Sequence, residues 1–332
     1  MPRARGPRPT TAPDAADPDL APPATDLRPD HRASDLRTAI LDWFTVHARD
    51  LPWRAADRTA WGVLVSEVML QQTPVVRVLP AWTQWMARWP TPDDLAAAGT
   101  ADVLRAWGRL GYPRRALRLQ ECARAIATSH AGVVPRDEAD LLALPGIGPY
   151  TAAAVVAFAH GGRSVVLDTN VRRVLARTVT GTALPPPSQT AAELRTATAL
   201  VPLEPDRAAR WAAASMELGA LVCTARAPRC EACPVASLCA WRAAGHPSDA
   251  HAANRRTQAW AGTDRQARGR VMALLRATHG PVPRASVEAA WPDRSQLERA
   301  LTGLVKDGLA EPLPATSPHA YRLPQNPPPR VE

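Results

Sequence analysis

The stretch CTARAPRCEACPVASLC, residues Cys223 to Cys239, contains four of the five cysteines in this 332-residue chain. Their spacing is Cys223-x6-Cys230-x2-Cys233-x5-Cys239. Four thiolates on such short tethers can surround a tetrahedral zinc ion or a [4Fe–4S] cluster. Zinc sites usually contain two close pairs of ligands, whereas only Cys230 and Cys233 form such a pair here, so the spacing favours the cluster. Zinc and four buried, unligated thiols remain the alternatives at this point.

The composition predicts a globular protein that suits a polyanionic partner. Its hydrophobic fraction of 46% is enough for well-buried cores in two or three domains. The net charge is +9 and Lys306 is the only lysine, so nearly all of the positive charge is on arginine. The planar guanidinium suits phosphate. Biased codon usage explains the arginine richness equally well, so composition alone does not identify the partner.

The N-terminal segment 1–31 is rich in proline and charge and contains no apolar core, which predicts a disordered tail rather than a signal peptide or membrane anchor. No later apolar run reaches the roughly 18 residues that a membrane span needs. Clustered cysteines in a chain of this size are more typical of metal ligands than of a disulfide framework. We therefore expect the protein in a reducing cytoplasm.

Residues 32–245 predict an all-α domain, because apolar residues recur at helical spacing and strand-like alternation is scarce. Proline, glycine or capping residues separate the segments. The predicted helices are 36–47, 60–71, 75–89, 101–110, 115–129, 138–144, 151–158, 171–179, 190–200 and 208–218.

The pattern changes after a polar linker, 246–263. The segment 264–324 predicts three helices, 264–279, 286–291 and 295–306, followed by strand-like edges, an order that resembles a small winged helix. Such modules read DNA, but they also serve as packing or protein-contact domains. Residues 325–332 are expected to form a tail.

The cysteine segment, extended to ELGALVCTARAPRCEACPVASLCAWRAAG, resembles the iron–sulfur loop of the endonuclease III superfamily, and specifically of the adenine DNA glycosylase (MutY) family. Five further motifs resemble that family in the expected order: LPWR, SEVMLQQT, LGYPRRALRL, LPGIGPYTAAAV and LDTNVRRVL, so that the resemblance covers residues 51–245. It implies a two-lobed helix-hairpin-helix glycosylase whose [4Fe–4S] cluster is held by the four cysteines and is structural. It also implies that Arg226 and Arg229, between the first two cysteines, face DNA phosphates, although both could simply be solvated.

The motif LPGIGPY, Leu144 to Tyr150, is a candidate phosphate site. Its two glycines allow consecutive backbone N–H groups to converge at the start of a helix. The same pattern is also an ordinary turn between helices. The resemblance to the helix-hairpin-helix of the superfamily, over about 138–158, implies that Gly146, Ile147 and Gly148 donate to a phosphate, a contact that reads no base.

Two residues are candidates to fill the gap that a flipped base leaves in the duplex. Gln72 and Tyr112 match the wedge positions of the family, and a planar amide or ring can replace a base in the stack. Either could instead be an ordinary surface or core residue. This chain has Pro113 where the family usually has a second aromatic residue, which puts the shape of that loop in doubt.

Two carboxyl groups are candidates for the chemistry. Glu67 lies in an apolar run, so a buried helix there would raise its pKa and keep it protonated near neutral pH. Asp168 precedes a helical pattern, where it would act as N-cap and be held ionised by the helix N-terminus. Carboxyl groups with pKa values pushed apart are typical of glycoside cleavage. The resemblance adds Asn170 as a supporting amide and Tyr150 as an active-site phenol.

The resemblance implies a monofunctional adenine DNA glycosylase of base excision repair, a monomer associated with the nucleoid, that acts on duplex DNA with adenine opposite 8-oxoguanine or guanine. The bifunctional branch has a lysine where this chain has Tyr150, so we expect little lysine-dependent strand cleavage. A thymine glycosylase for T·G mismatches and a non-catalytic iron–sulfur regulator are the alternatives.

Many family members recognise 8-oxoguanine with a Phe-Ser-His hairpin in a larger C-terminal domain. Both phenylalanines of this chain, Phe44 and Phe158, lie in the helical body, so we expect no such hairpin here. Recognition of the opposite base is then expected from Trp53 and Arg54 of LPWR, from Gln71 with Gln72 and from the C-terminal module; the alternative is weaker discrimination of that base.

Overall fold

The computed structural model describes residues 29–254, 260–313 and 319–325, and these are mainly helical. Of the predicted tails, 1–31 and 325–332, residues 1–28 and 326–332 lie outside the described residues, whereas the prediction is wrong for 29–31, which begin the first helix. The helices are α1 (Pro29–His47), α2 (Ala60–Leu70), α3 (Val75–Arg88), α4 (Pro92–Ala97), α5 (Thr100–Trp107), α6 (Arg114–Ser129), α7 (Glu138–Ala143), α8 (Pro149–Phe158), α9 (Thr169–Leu175), α10 (Ala191–Leu200), α11 (Pro205–Leu221), α12 (Ala240–Ala243), α13 (Asp264–Ala277), α14 (Arg284–Ala289) and α15 (Arg294–Lys306). The strands are β1 (Val282–Pro283), β2 (Glu311–Leu313) and β3 (Ala320–Arg322).

Several predicted helices have different bounds in the structure, and side-chain hydrogen bonds account for two of these differences. The first begins at Pro29 rather than residue 36, because the Arg32 guanidinium donates to the carbonyls of Thr178, at 3.2 Å, and Leu238, at 3.0 Å, and so ties the added turns to the fold. The predicted helix 171–179 ends its α-helical part at Leu175 and continues as a π-helical turn, Ala176–Thr180. The hydroxyl of Thr178 donates to the carbonyl of Val174 at 2.7 Å, a side-chain bond that competes with regular helix geometry.

The helical body packs as two lobes with separate cores. Helices α2 to α8 bury one core, in which the Trp85 ring meets the rings of Trp89 and Trp107 edge-on at 4.7 and 5.6 Å. Helices α1, α9, α10 and α11 form the second core together with the start of the cysteine loop. A small cluster of alanine side chains from α8 and α11, together with Val166 from the segment between α8 and α9, joins the two. The cleft between the lobes is where the polar candidates of the sequence meet.

The C-terminal module consists of α13, β1, α14, α15, β2 and β3, in that order. Its three strands form an antiparallel sheet in the order β1-β3-β2. The module packs on the first lobe, where Arg105 donates to the carbonyl of Thr278 at 3.2 Å and Arg114 pairs with Asp307 at 3.3 Å. Within the described ranges, no helix is both long enough and apolar enough to cross a membrane.

Candidate active site

A cavity of about 1040 Å³ lies between the two lobes and contains most of the polar candidates. Its wall is formed by α2, the turn after it, the start of α8 and the start of α9. The sequence-predicted residues that line it are Trp53, Arg54, Glu67, Gln71, Gln72, Tyr150, Asp168 and Asn170. The structure therefore brings both candidate carboxyl groups to one cavity.

Glu67 reaches this cavity from a helix that is buried on all sides. Residues 61–69 of α2 are all buried, and Glu67 itself is only 4% exposed. The hydroxyl of Tyr150 donates to Glu67 Oε2 at 2.8 Å. Burial raises the pKa of Glu67 to about 7, the nearby charge of Asp168 adds to this, and the Tyr150 hydrogen bond and Arg54 act against it. The carboxyl group is thus able to hold a proton near neutral pH.

Asp168 is the N-cap of α9, as the sequence predicts. Its Oδ1 accepts from the backbone N–H of Val171 at 2.7 Å, and its Oδ2 accepts from Nδ2 of Asn170 at 2.7 Å. Burial raises the pKa of Asp168, so the helix N-terminus does not set its charge alone; the hydrogen bonds and the charge of Arg173 lower that pKa. More groups stabilise the anion of Asp168 than that of Glu67. The first proton taken up by the pair therefore belongs on Glu67.

A chain of hydrogen bonds joins Asp168 to the cysteine loop. Arg173 is buried and donates from Nη2 to Asn170 Oδ1 at 2.7 Å and from Nε to the carbonyl of Cys223 at 2.6 Å. Gly219 lies directly against Asn170, where an added Cβ would come within 2.7 Å of the Asn170 Cβ. The cysteine loop therefore positions the amide that supports the aspartate.

The four clustered cysteines line one small pocket next to α9 and α11. All are free thiols. The guanidinium of Arg177 donates to Cys223 Sγ at 3.4 Å, and burial raises the pKa of Cys233 to about 11. A buried thiolate there needs a compensating positive charge, which iron supplies to a thiolate ligand. The donors fit an iron–sulfur group in their chemistry, although the described residues contain no set of three or more His, Cys, Asp or Glu poised to hold a single metal ion.

Comparisons with known proteins agree both with the cavity that holds the two carboxyl groups and with the cysteine loop. The HhH-GPD superfamily base excision DNA repair protein model matches residues 65–199, and the iron-sulfur binding domain of endonuclease III matches residues 223–239. The adenine DNA glycosylase of Mycolicibacterium smegmatis is 54% identical over 274 residues, which are 82% of this chain and 91% of that protein. This chain belongs to the adenine DNA glycosylase family.

Two further relatives agree with this assignment. The adenine DNA glycosylase of Mycobacterium tuberculosis is 52% identical over 273 residues, 82% of this chain and 89% of that protein. The solved structure of a thermostable thymine-DNA glycosylase has a TM-score of 0.58 at 27% identity, and covers 65% of this chain and 98% of that one. The predicted helix-hairpin-helix glycosylase fold and the iron–sulfur loop are confirmed.

The hairpin turn between α7 and α8 has the geometry of an anion site at two of its three predicted donors. Gly146 has a φ of 78°, and an added Cβ would come within 2.9 Å of the Arg118 side chain. The N–H of Ile147 already donates to the carbonyl of Leu144 at 3.2 Å, so the expectation that it serves a phosphate is not met in this turn. Among the described residues, the N–H groups of Gly146 and Gly148 have no recorded acceptor and remain available at the start of α8.

Both candidate wedge residues have left-handed backbone conformations. The φ angle is 54° for Gln72 and 45° for Tyr112, a region that side chains other than glycine, asparagine and aspartate rarely adopt. Gln72 is exposed at the cavity wall, whereas Tyr112 is 43% exposed and does not line the cavity. Such strain persists where the surroundings enforce it, often at functional sites. Gln71 points inward, with Nε2 at 3.5 Å from Thr151 Oγ1.

The LPWR segment forms the inner wall of the cavity rather than an exposed surface. The Trp53 ring is 5% exposed and meets the Trp82 ring edge-on at 5.5 Å, so its predicted contact with DNA is restricted to a group that enters the cavity. Arg54 pairs with the fully buried Glu217 at 3.0 Å, and Arg49 pairs with the same carboxylate at 2.7 Å. These two arginines hold the pKa of Glu217 at about 2 despite its burial.

Glu217 and Arg49 are site residues that the sequence analysis missed. The available signal was a lone acid within the apolar segment WAAASMELGAL of α11. Arg226 and Arg229 are both exposed on the cysteine loop, as predicted, and Arg229 also donates to the carbonyl of Leu221. Their contact with phosphate stays a prediction.

Arg115 connects the two loops that carry the candidate wedge residues, Gln72 and Tyr112. Its Nη1 donates to the carbonyls of Val68, at 2.8 Å, and Gln71, at 2.6 Å, while its Nη2 donates to the carbonyls of Leu110, at 3.4 Å, and Gly111, at 3.2 Å. Burial lowers the pKa of Arg115 to about 10. One half-buried guanidinium therefore bridges the segments that precede Gln72 and Tyr112.

Arg115→Ala should loosen both loops. Removing a cation that satisfies several carbonyls is expected to lower the free energy of unfolding by about 2–4 kcal/mol and to slow base excision. The matched control is Arg114→Ala, since the Arg114 side chain is 56% exposed and makes one surface ion pair, worth less than about 1 kcal/mol. Chemical denaturation of both variants measures the difference. Equal stability of the two variants would show that the bridge does not hold the loops.

Proposed function

We propose that this protein hydrolyses the N-glycosidic bond of adenine mispaired with 8-oxoguanine or guanine and leaves an intact abasic strand. The single observation that carries the proposal is the cavity shared by Glu67, which accepts a hydrogen bond from Tyr150, and Asp168, whose two oxygens each accept one. Family membership supplies adenine as the base. The mismatch partner and the lack of strand cleavage are the additional parts of the proposal.

Glu67 acts as the general acid. Because Tyr150 donates to Oε2, the acidic proton belongs on Oε1, which can transfer it to a ring nitrogen of adenine. Protonation turns the base into a neutral leaving group. The resulting carboxylate is then the base that takes a proton from the attacking water.

Asp168 stabilises the sugar as positive charge develops at C1′. Both of its oxygens accept a hydrogen bond within the protein, and these bonds orient the carboxylate and favour its ionised form. The sugar carbon either remains an oxocarbenium-like centre above this anion or bonds to it before water enters. Asn170 is the positioning residue, since Arg173 holds its other side.

The inner wall offers Trp53 and Arg54 to a base that enters the cavity, since both residues line it. The Trp53 ring offers a flat apolar neighbour for a flipped base.

The iron–sulfur group is proposed to be one [4Fe–4S] cluster with Cys223, Cys230, Cys233 and Cys239 as ligands. The six-two-five spacing and the match to the endonuclease III loop support this type. Its role is structural. The loop that would hold the cluster positions Asn170, because Arg173 bonds both to the Cys223 carbonyl and to the Asn170 amide. The same loop carries the exposed side chains of Arg226 and Arg229.

A panel of labelled duplexes tests the function. We expect loss of adenine opposite 8-oxoguanine and guanine, no loss of thymine from T·G, and strand breaks only after alkali, because position 150 is tyrosine and Lys306 is the only lysine. Each duplex is incubated with the pure protein and split into samples with and without alkali. Thymine release would favour a thymine glycosylase, and abundant breaks without alkali would contradict the monofunctional assignment.

A further inference from the structure

The C-terminal module reaches the wedge residue Tyr112 through Arg265. Arg265 lies in α13, and its guanidinium carbon is 4.9 Å from the centroid of the Tyr112 ring. The same carbon is 5.2 Å from the centroid of the Trp260 ring. The guanidinium carbon of Arg115 is 5.6 Å from the centroid of the same Tyr112 ring. A row of alternating cations and aromatic rings therefore runs from the loop beside Gln72 to the module.

The row is exposed rather than part of a core. Trp260 is 52% exposed and Tyr112 is 43% exposed, and both are among the most exposed large hydrophobic side chains of the described residues. Neither lines the cavity that takes the target base. Rings as exposed as these are available for stacking with planar groups from outside the protein.

Contacts with α13 hold Trp260, at one end of this row, in position. The carbonyl of Trp260 accepts from the hydroxyl of Thr263 at 2.8 Å, and Thr263 in turn caps α13. The Trp260 ring lies over Gly269, where an added Cβ would come within 3.7 Å of it. Because the module packs on the first lobe, stacking here would lose little conformational freedom.

The charge of Arg265 is available to an external anion. Five other arginines of the module, Arg268, Arg284, Arg294, Arg299 and Arg322, are ion-paired. Within the described residues Arg265 forms no ion pair, and its guanidinium lies against the two rings. Aromatic rings beside an unpaired arginine match the two faces of nucleic acid, its bases and its phosphates.

We infer that Trp260, Arg265 and Tyr112 form a second DNA-binding surface, which stacks on the strand opposite the flipped adenine. The inference rests on the proposed function, because that function places one base in the cavity and leaves its partner outside. Tyr112 enters the gap in the duplex, while Trp260 stacks on an unpaired base of the opposite strand and Arg265 holds an adjacent phosphate. The module thus contributes to recognition of the opposite base with residues outside the helical body.

Binding is measured with Asp168→Asn protein, so that the base is not released during titration. The duplexes contain adenine opposite 8-oxoguanine, or opposite 2-aminopurine, whose fluorescence is quenched when it stacks on an aromatic ring. Trp260→Ala and Arg265→Ala should each weaken binding about 10-fold and reduce the quenching, and Trp260→Phe should restore most of both. Arg265→Ala should also lower the salt dependence by about one counterion.

The matched control is Arg294→Ala, which removes an equal charge from an 82% exposed side chain of α15. If Trp260→Ala and Arg265→Ala bind and quench within about twofold of this control, the inference is overturned. Excision by the otherwise unaltered protein is measured on the same duplexes. If that protein releases no adenine while both variants weaken binding, the proposed function fails and the DNA-binding surface stands.

Discussion

Glu67→Gln should abolish adenine release and at the same time stabilise the protein at alkaline pH. Glutamine keeps the shape and can still accept the Tyr150 hydrogen bond, but it has no proton to give to the leaving base. A general acid contributes on the order of 10²–10⁴ in rate, so we expect a loss of at least that size in single-turnover excision.

The gain in stability follows from the raised pKa of Glu67. The raised pKa of about 7 in the folded state adds to the free energy of unfolding. This addition is complete below the unfolded-state pKa of 4.5 and is lost as the pH rises through about 7. Above that pH the native protein carries an uncompensated buried charge that glutamine removes. We expect the variant to be more stable by about 2–3 kcal/mol at pH 8 and nearly equal at pH 4.5. Denaturation at both pH values measures this; a variant less stable at pH 8 would contradict the buried neutral acid.

Asp168→Asn should retain the fold and lose excision by on the order of 10³-fold or more. Asparagine is as good an N-cap as aspartate, so the bond from the Val171 N–H can persist and the start of α9 is preserved. The developing charge at C1′ then has no anion beneath it. Binding to duplex DNA should change little, since the substitution leaves the exposed basic residues in place.

Asp168→Ala separates the two roles of this residue. Alanine removes the cap as well as the charge, so it should cost about 1 kcal/mol of stability that asparagine does not. Single-turnover excision, duplex binding and denaturation are measured on both variants. Excision by Asp168→Asn within tenfold of the unaltered protein would show that the aspartate is a helix cap and no more.

The helical body was predictable because its patterns are local. Glu67 could be placed in a buried helix from its apolar neighbours, and Asp168 at a helix start from the residues that follow it. The left-handed backbone at Gln72 and Tyr112 was not predictable in this way, because both loops bond through their carbonyls to Arg115, which lies 44 residues from Gln71.

Tertiary contacts also decided what the sequence left open. The early start of α1 depends on Arg32 reaching carbonyls far along the chain, and the pairing of Glu217 with Arg49 and Arg54 joins segments more than 160 residues apart. The net rise in the pKa of Asp168 comes from burial between two lobes, which no local pattern reports. Long-range side-chain contacts of this kind cannot be predicted from local sequence patterns.

The pH dependence of single-turnover adenine release, with enzyme in excess over an A·8-oxoguanine duplex from pH 5 to 9, tests the central claim most directly. The account predicts a bell-shaped profile: the rate falls above about pH 7 as Glu67 loses its proton, and falls on the acid side as Asp168 gains one. A rate that stays constant up to pH 9 would show that Glu67 is not the acid, and would contradict the assignment of one protonated and one charged carboxyl group to the cavity.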